Sequence, residues 1–293
     1  MTTIFNKRIG MIGLGLMGTA LTERLLEHGY RVLIWNRTRE KAEPLVARGA
    51  EWSENPLAAC DRVIISLYTS DVVEAVLEQM RDGLHAGQIV LDTTTGEPAQ
   101  TAALGARLAA RGVRYLDAPI SGSSEQTRRG EATVLVGGDH SAFEACSDLW
   151  PVLGQKVFYV GPCGSAAKMK LVSNLVLGLN RVALAEGLAY AEAVGVAPAA
   201  ALEVLIGSMA YSRAMDVKGR KMVEGDFAVQ ARLSQHLKDV RLILAGAAAA
   251  GLPLPLSETH CRLLEQAEAA GLGELDNSAI IKVIQKSQPP PAS

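Results

Sequence analysis

The 293-residue chain predicts a doubly wound α/β domain followed by an all-α domain, the two joined by one long helix. Three observations carry this expectation. Short apolar runs alternate with helical patterns up to about Val160, strand signals vanish after Gly164, and Ala, Leu and Glu dominate from there to Gln285. Alternation of strand and helix is what a parallel sheet covered on both faces requires. The length sets a prior of about two domains; they are placed at 1–163 and 164–287, with a proline-rich tail, 288–293, expected to be disordered.

Taken in order, Ile9 to Ile12 forms an apolar strand and Thr19 to Glu27 an amphipathic helix stopped by His28 and Gly29. Val32 to Trp35 is the second strand. Val63 to Leu67, Ile89 to Asp92, Arg114 to Leu116, Ala132 to Val136 and Val157 to Val160 have the length and residue types of further strands. Helical patterns at Asp71 to Met80, Pro98 to Ala110 and Ser141 to Leu153 intervene. The later strands are left open between parallel and antiparallel pairing. The joining helix is expected from about Ala166 to Val194, roughly 40 Å at the α-helical rise, ending at Gly195 with Pro198 opening the next helix.

Between the first strand and the first helix lies Gly13-Leu14-Gly15-Leu16-Met17-Gly18. Alone, such a run is weak. Here a strand precedes it, a helix follows, and a second strand ends about 20 residues on, the context of a Rossmann-type dinucleotide site. The glycines would supply a tight turn, close approach of pyrophosphate to backbone, and close helix–strand packing, with the pyrophosphate on the helix N-terminus. The second strand ends in Asn36-Arg37-Thr38, with no acid to grip ribose hydroxyls or repel a 2′-phosphate. An amide, a guanidinium and a hydroxyl there favour NADP over NAD.

Composition narrows the class. Hydrophobic residues make up 48% of the chain and the net charge is −2, which argues against a nucleic-acid partner. Cys60, Cys146, Cys163 and Cys261 have no C-x-x-C spacing and read as reduced packing residues. His28, His85, His140, His236 and His260 form no ligand pair at helical spacing, so no metal is expected, and each reads as a surface or capping residue. No signal-peptide segment precedes the first strand, and the uncharged stretch Leu242 to Ser257 is short of the ~18 residues a membrane span needs. A cytoplasmic protein without a membrane partner is expected.

The chemistry is expected from Gly164-Ser-Ala-Ala-Lys168-Met-Lys170-Leu-Val-Ser-Asn174. Lys170 and Asn174 stand four apart on one helical face. A mobile ammonium and an amide can there meet one substrate atom, the first as proton donor and the second as an orienting partner. Near the start of the joining helix, Lys170 would fall at the domain cleft, where ligand sites tend to lie. Lys168, about 200° around the helix, would face solvent or cofactor.

Four stretches in order, from Arg8 to Lys286, resemble the β-hydroxyacid dehydrogenase family. They are the glycine turn, Asp117-Ala-Pro-Ile-Ser121-Gly122-Ser123, the lysine segment, and His236-Leu-Lys238-Asp239. The resemblance implies that Ser121 and the backbone of Gly122 and Ser123 hold a substrate carboxylate, and that Thr95 lies near the nicotinamide. It implies cofactor contact for Lys238 and for Leu67 at its strand's end, and a place beside the substrate for Asp239. The Lys-Met-Lys-Leu wording and Asn-Arg-Thr are similar to the glyoxylate and succinic semialdehyde reductase branch. Departures are Ser123 for glycine, Ala166 for glycine, Ser173 for asparagine, and Ala231 for an aromatic, the last opening the pocket to a bulkier substrate. Tyr211 and Arg213 lead into it.

The expected activity is NADPH-dependent hydride transfer to a small carboxylic-acid semialdehyde or 2-oxoacid, or the reverse from the hydroxyacid, in a homodimer or homotetramer. An imine reductase is the nearest enzymatic rival, though that group usually lacks the motif lysine. A 6-phosphogluconate dehydrogenase would show His at Ser173 and a far longer helical domain. A non-catalytic NADP-binding interaction module is the alternative from another class.

Overall fold

A computed structural model of the protein describes residues 7–286; the expected tail at 288–293 lies outside them. The chain divides into two compact units at Lys170/Leu171.

In the first unit nine strands form one sheet: β1 (Arg8–Ile12), β2 (Arg31–Trp35), β3 (Glu51–Trp52), β4 (Arg62–Ile65), β5 (Ile89–Asp92), β6 (Arg114–Asp117), β7 (Ile120–Ser121), β8 (Thr133–Gly138) and β9 (Lys156–Gly161). The order is β3-β2-β1-β4-β5-β6-β8-β7, with β9 on β8. Pairing is parallel from β3 through β6, antiparallel where β8 meets β6 and β7, and parallel again between β8 and β9. The chain winds outward both ways from β1, so β1 and β4 flank the point where strand order reverses. In such sheets, ligands sit beyond the carboxyl ends of the strands at that point.

Side chains alternate across the sheet with period two. Ile9, Met11, Val32, Ile34, Ile64 and Leu91 enter one core with Leu21 and Leu25 of the first helix, Leu16–Glu27. Leu33, Trp35, Val63, Ile65 and Val90 enter the other with Val73 and Leu77 of the helix Ser70–Gln79, and Leu104 and Leu108 of the helix Pro98–Ala109. Ile64 is fully buried; truncation to alanine there would cost about 2–5 kcal/mol.

The expected helix from Ser141 to Leu153 is broken into His140–Ala145 and Trp150–Leu153. Pro151 explains the break, since it cannot donate to the preceding turn and instead starts the second piece. The strands β3 and β7 were not legible, being two residues each.

Past Gly164 the only strand-like pairing among the described residues is a single bridge, Arg232 to Asp276. The long helix runs Ser165–Ala193. Helices Pro198–Ile206, Leu233–Ala249 and Pro255–Ala269 follow. Leu184 and Leu188 of the long helix pack on Leu237, Val240, Leu264 and Ile280. The long helix also passes a length and hydropathy test for a membrane span. Its buried face, however, carries Lys170, Asn174 and Arg181, polar and charged groups that are costly in hydrocarbon.

Candidate functional site

The glycine turn closes β1 onto the first helix. Gly13 holds φ +98°, and a Cβ there would lie 2.3 Å from the Ser66 carbonyl oxygen; one on Gly18 would lie 1.9 Å from the Gly13 carbonyl oxygen. Both positions need glycine for close packing. Gly15 differs, because a Cβ there meets nothing within 4 Å. It is the cap residue of the first helix, with no side-chain cap bond on that helix, so open space lies in front of uncapped N–H groups. That is a cradle for a diphosphate, and it fits a dinucleotide.

Asn36 braces this turn. Its Oδ1 accepts from the Leu14 N–H at 3.0 Å and its Nδ2 donates to the Thr38 carbonyl at 2.8 Å. The amide expected to meet a 2′-phosphate is thus engaged with backbone, and Arg37 and Thr38 beside it are exposed. The ring over which a guanidinium lies is Trp52, and the guanidinium is that of Arg39, 5.0 Å from the centroid.

The other candidates of the first unit also stand beyond carboxyl ends of strands. Leu67 lies two residues past β4, which ends at Ile65 rather than at Leu67 as expected. Its N–H donates to Thr94 Oγ1 at 3.1 Å, and its side chain packs beside Gly13. Thr95 follows β5, where Asp92 accepts from the Thr94 N–H at 2.9 Å and the Tyr115 hydroxyl at 2.5 Å. Burial, with Asp92 adding to it, pushes the Tyr115 hydroxyl well above its usual range.

Ser121 is the last residue of β7, and Gly122 and Ser123 lead from it into a short helix, Ser124–Arg128. Ser123 departs from its expected role. Its N–H donates to Gln126 Oε1 at 2.9 Å and its Oγ accepts from the Gln126 N–H at 3.2 Å, a closed capping box. Its backbone donor is engaged, so the carboxylate-binding expectation passes to Ser121 and Gly122. The S-x-x-Q spacing was the sequence signal for this.

Lys170 and Asn174 stand one turn apart on the long helix, both buried, while Lys168 is exposed. In the helical unit, Asn174 Nδ2 donates to Asp239 Oδ2 at 2.8 Å. The Lys238 ammonium lies 3.0 Å from the other Asp239 oxygen. Ala231 is held through backbone: its N–H and that of Gln230 donate to Asp276 Oδ2 at 3.1 and 3.0 Å. Lys218 Nζ meets both Asp276 oxygens at 2.8 and 2.9 Å. Tyr211 donates to Asp216 at 2.5 Å.

Two histidines correct the sequence reading. His236 and His260 are buried, not surface or capping residues, with ring centroids 5.2 Å apart. Gly178 makes their room, since a Cβ there would lie 2.6 Å from His236 Nε2. Burial first, then the Arg181 charge, pushes His260 down to about 4. Their distance in sequence from Gly178 hid the cluster. The four cysteines are free thiols, three of them buried, and no group of three metal-ligating side chains occurs among the described residues.

Comparison with known proteins places this arrangement. Residues 8–161 match the NAD binding domain of 6-phosphogluconate dehydrogenase, and residues 164–284 match the NAD-binding domain of NADP-dependent 3-hydroxyisobutyrate dehydrogenase. The chain is 32% identical over 283 residues to 2-(hydroxymethyl)glutarate dehydrogenase of Eubacterium barkeri, covering 94% of each. It is 32% identical over 293 residues to glyoxylate/succinic semialdehyde reductase 1 of Arabidopsis thaliana, covering 96% of this chain and 99% of that one. It spans about half the length of other curated relatives, the N-PAC nuclear factors, such as that of Homo sapiens at 29% identity. Among solved structures, 3-hydroxyisobutyrate dehydrogenase from Salmonella typhimurium superposes with a TM-score of 0.87 at 26% identity, covering 94% of this chain and 99% of that one. With both halves matched in order, the chain belongs to the β-hydroxyacid dehydrogenase family of NAD(P)-dependent oxidoreductases.

Proposed function

We propose that the protein is an NADPH-dependent reductase of small carboxylic-acid semialdehydes or 2-oxoacids, working also in reverse on the hydroxyacid, with Lys170 as proton donor. The observation that carries this reading is the buried Lys170, one helical turn from an Asn174 whose amide is fixed by Asp239. When bound, the nicotinamide supplies the hydride. Lys170 gives its proton to the carbonyl oxygen as charge develops there. Asn174 orients the same oxygen by donating its second Nδ2 hydrogen, its amide held in one sense by the bond of the first to Asp239. Ser121 and the Gly122 N–H, with Thr95, hold the carboxylate and so fix the reacting carbon. The uncapped start of the first helix takes the diphosphate, and Arg37 and Thr38 take the 2′-phosphate.

The similarity to a glyoxylate/succinic semialdehyde reductase and to a 2-(hydroxymethyl)glutarate dehydrogenase supports a short acid bearing an aldehyde or alcohol. Ala231, where the family resemblance implies an aromatic, favours a substrate larger than glyoxylate. A homo-oligomer acting in the cytoplasm belongs to the same reading. Purified protein, NADPH and a panel of semialdehydes, 2-oxoacids and cyclic imines test it by loss of absorbance at the reduced nicotinamide band. Turnover of semialdehydes or 2-oxoacids is expected. Turnover of imines alone, or none with intact NADPH binding, would replace the proposal with an imine reductase or a non-catalytic module.

A further inference from the structure

The first-turn N–H groups of an α-helix have no partner inside the helix. At the start of the long helix, Gly164 has no side chain to offer them. A partner comes from across the fold. Asp117, the last residue of β6, accepts from the Ala167 N–H at 3.0 Å through Oδ2, while its buried Oδ1 has no hydrogen-bond partner. Asp117 is 2% exposed. Gly137 on β8 makes its room, since a Cβ there would lie 2.5 Å from Asp117 Oδ1. All of these residues belong to the first unit.

We propose that Asp117 is a positioning residue for Lys170: its carboxylate caps the long helix from a distance and fixes Lys170 against the substrate-binding turn at Ser121 and Gly122. The geometry is short on both sides. Lys170 is three residues beyond Ala167, within one turn of the bond, and Ser121 is four residues beyond Asp117 on the same run of chain. One carboxylate therefore ties the acid and the carboxylate-holding turn to the end of one strand. Negative charge is also favoured at a helix N-terminus. The proposal rests on the reading of Lys170 as proton donor.

The cap is sensitive to protonation. Burial pushes Asp117 up to about 6, against the pull of the helix N–H groups. The groups facing it are Asp92, its register partner on β5, Tyr115 on its own strand, and Cys163 before the long helix. Cys163 is pushed up to about 12 and Tyr115 well above its usual range, so neither titrates near pH 6.

Asp117→Asn keeps an acceptor for the Ala167 N–H without a titrating group, and Asp117→Ala keeps neither. The test compares kcat, KM and NADPH affinity of both with wild type from pH 5 to 8.5, on the substrate found by the NADPH screen. Asp117→Ala should lose about 10- to 100-fold in kcat, the usual cost of a catalytic group displaced by about an ångström, with NADPH affinity within about twofold. Asp117→Asn should recover most of that kcat and lack the fall in kcat near pH 6 that is expected of wild type. Wild-type kcat in Asp117→Ala, or an unchanged fall near pH 6 in Asp117→Asn, would overturn the proposal. Hydrogen exchange at the amides of 166–170 separates this failure from that of the Lys170 reading. Faster exchange in Asp117→Ala than in wild type and in Asp117→Asn upholds the cap even if Lys170→Ala retains turnover, whereas unchanged exchange in Asp117→Ala overturns it. If Asp117→Ala fails to fold, the pH profile of Asp117→Asn decides alone.

Discussion

Asn174 donates through Nδ2 to Asp239 Oδ2 at 2.8 Å with both side chains buried, which leaves the amide oxygen of Asn174 to face elsewhere. An amide whose two ends are alike in shape is oriented only by its partners. Asp239 is therefore expected to act through Asn174. Asn174→Ala and Asp239→Ala should each lower kcat about tenfold or more, and the double variant should be scarcely worse than either single one, as for residues that act as a unit. Multiplicative losses in the double-mutant cycle would show that Asp239 acts independently.

Lys170 and Lys168 provide a contrast within one helix, the first buried and the second exposed. Lys170→Ala should keep NADPH affinity and lose about 10² to 10⁴ in turnover, the usual worth of a positioned general acid. Lys168→Ala should lose far less. Steady-state rates beside a fluorescence titration of NADPH decide between them. Full turnover in Lys170→Ala would remove both the assigned acid and its mechanism.

What was legible in the sequence follows the range of the interactions concerned. The glycine turn was readable because its constraints are local: Gly13 and Gly18 each touch backbone within one strand–turn–helix unit or its neighbour. The long helix was readable to within a residue at each end, since Gly164 and Gly195 punctuate it. Asn36, by contrast, has a bracing role that nothing in the local pattern signals, because its bond to Leu14 spans 22 residues. The Asp117 cap spans 50 residues and the Asp239 bond 65. Such pairings arise only once the sheet and helices are assembled, and each changed or added a role at the candidate site.

Cofactor preference is expected to turn on Arg37. With Asn36 engaged by Leu14 and Thr38, Arg37 is the one charged donor of its tripeptide that can grip a 2′-phosphate. Arg37→Asp should weaken NADPH binding by about 10- to 100-fold, the loss of one or two charge-assisted bonds, and strengthen NADH relative to it. Equal wild-type affinities for the two cofactors would sink the preference.

Met169, Val172, Val176 and Tyr190 form an exposed stripe at helical spacing along the long helix, with Val172 at 57% and Tyr190 at 69% exposure. An apolar stripe of this kind on a lone chain marks an association surface, and a second copy of the chain is the expected occupant. Light scattering at micromolar concentration should return at least twice the 31.0 kDa chain mass. Val172→Glu with Val176→Glu should shift it toward monomer, and a wild-type monomer would reject the expectation.

Arg181 and His260 give a stability prediction independent of catalysis. Arg181 is 4% exposed, and its Nε and Nη1 have no acceptor. Burial pushes the guanidinium down to about 10 despite the nearby Asp276 charge, because both Asp276 oxygens already meet Lys218. A buried charge without a dedicated partner costs several kcal/mol, and replacing such a group by an apolar side chain of similar length is commonly stabilising by about 1–4 kcal/mol. Arg181→Met should therefore raise the urea midpoint at pH 7.5. The same substitution should alter the acid side. His260, lowered to about 4 against an ordinary 6.5, contributes stability that is present above pH 6.5 and lost as pH falls toward 4, about 3 kcal/mol for a shift of this size. Asp117 has the opposite sign, its raised value favouring the fold below about pH 4 and withdrawing that contribution as pH rises through about 6. The comparison is thus made between variants and not on the absolute slope. Without the Arg181 charge, His260 should titrate closer to 6.5, so the loss between pH 6.5 and 4 should be smaller in Arg181→Met than in wild type. Urea unfolding of both proteins at pH 4.5, 5.5, 6.5 and 7.5 measures it. A lower midpoint for Arg181→Met at pH 7.5 would mean that the guanidinium has a stabilising partner, and parallel slopes would mean that Arg181 does not hold His260 neutral.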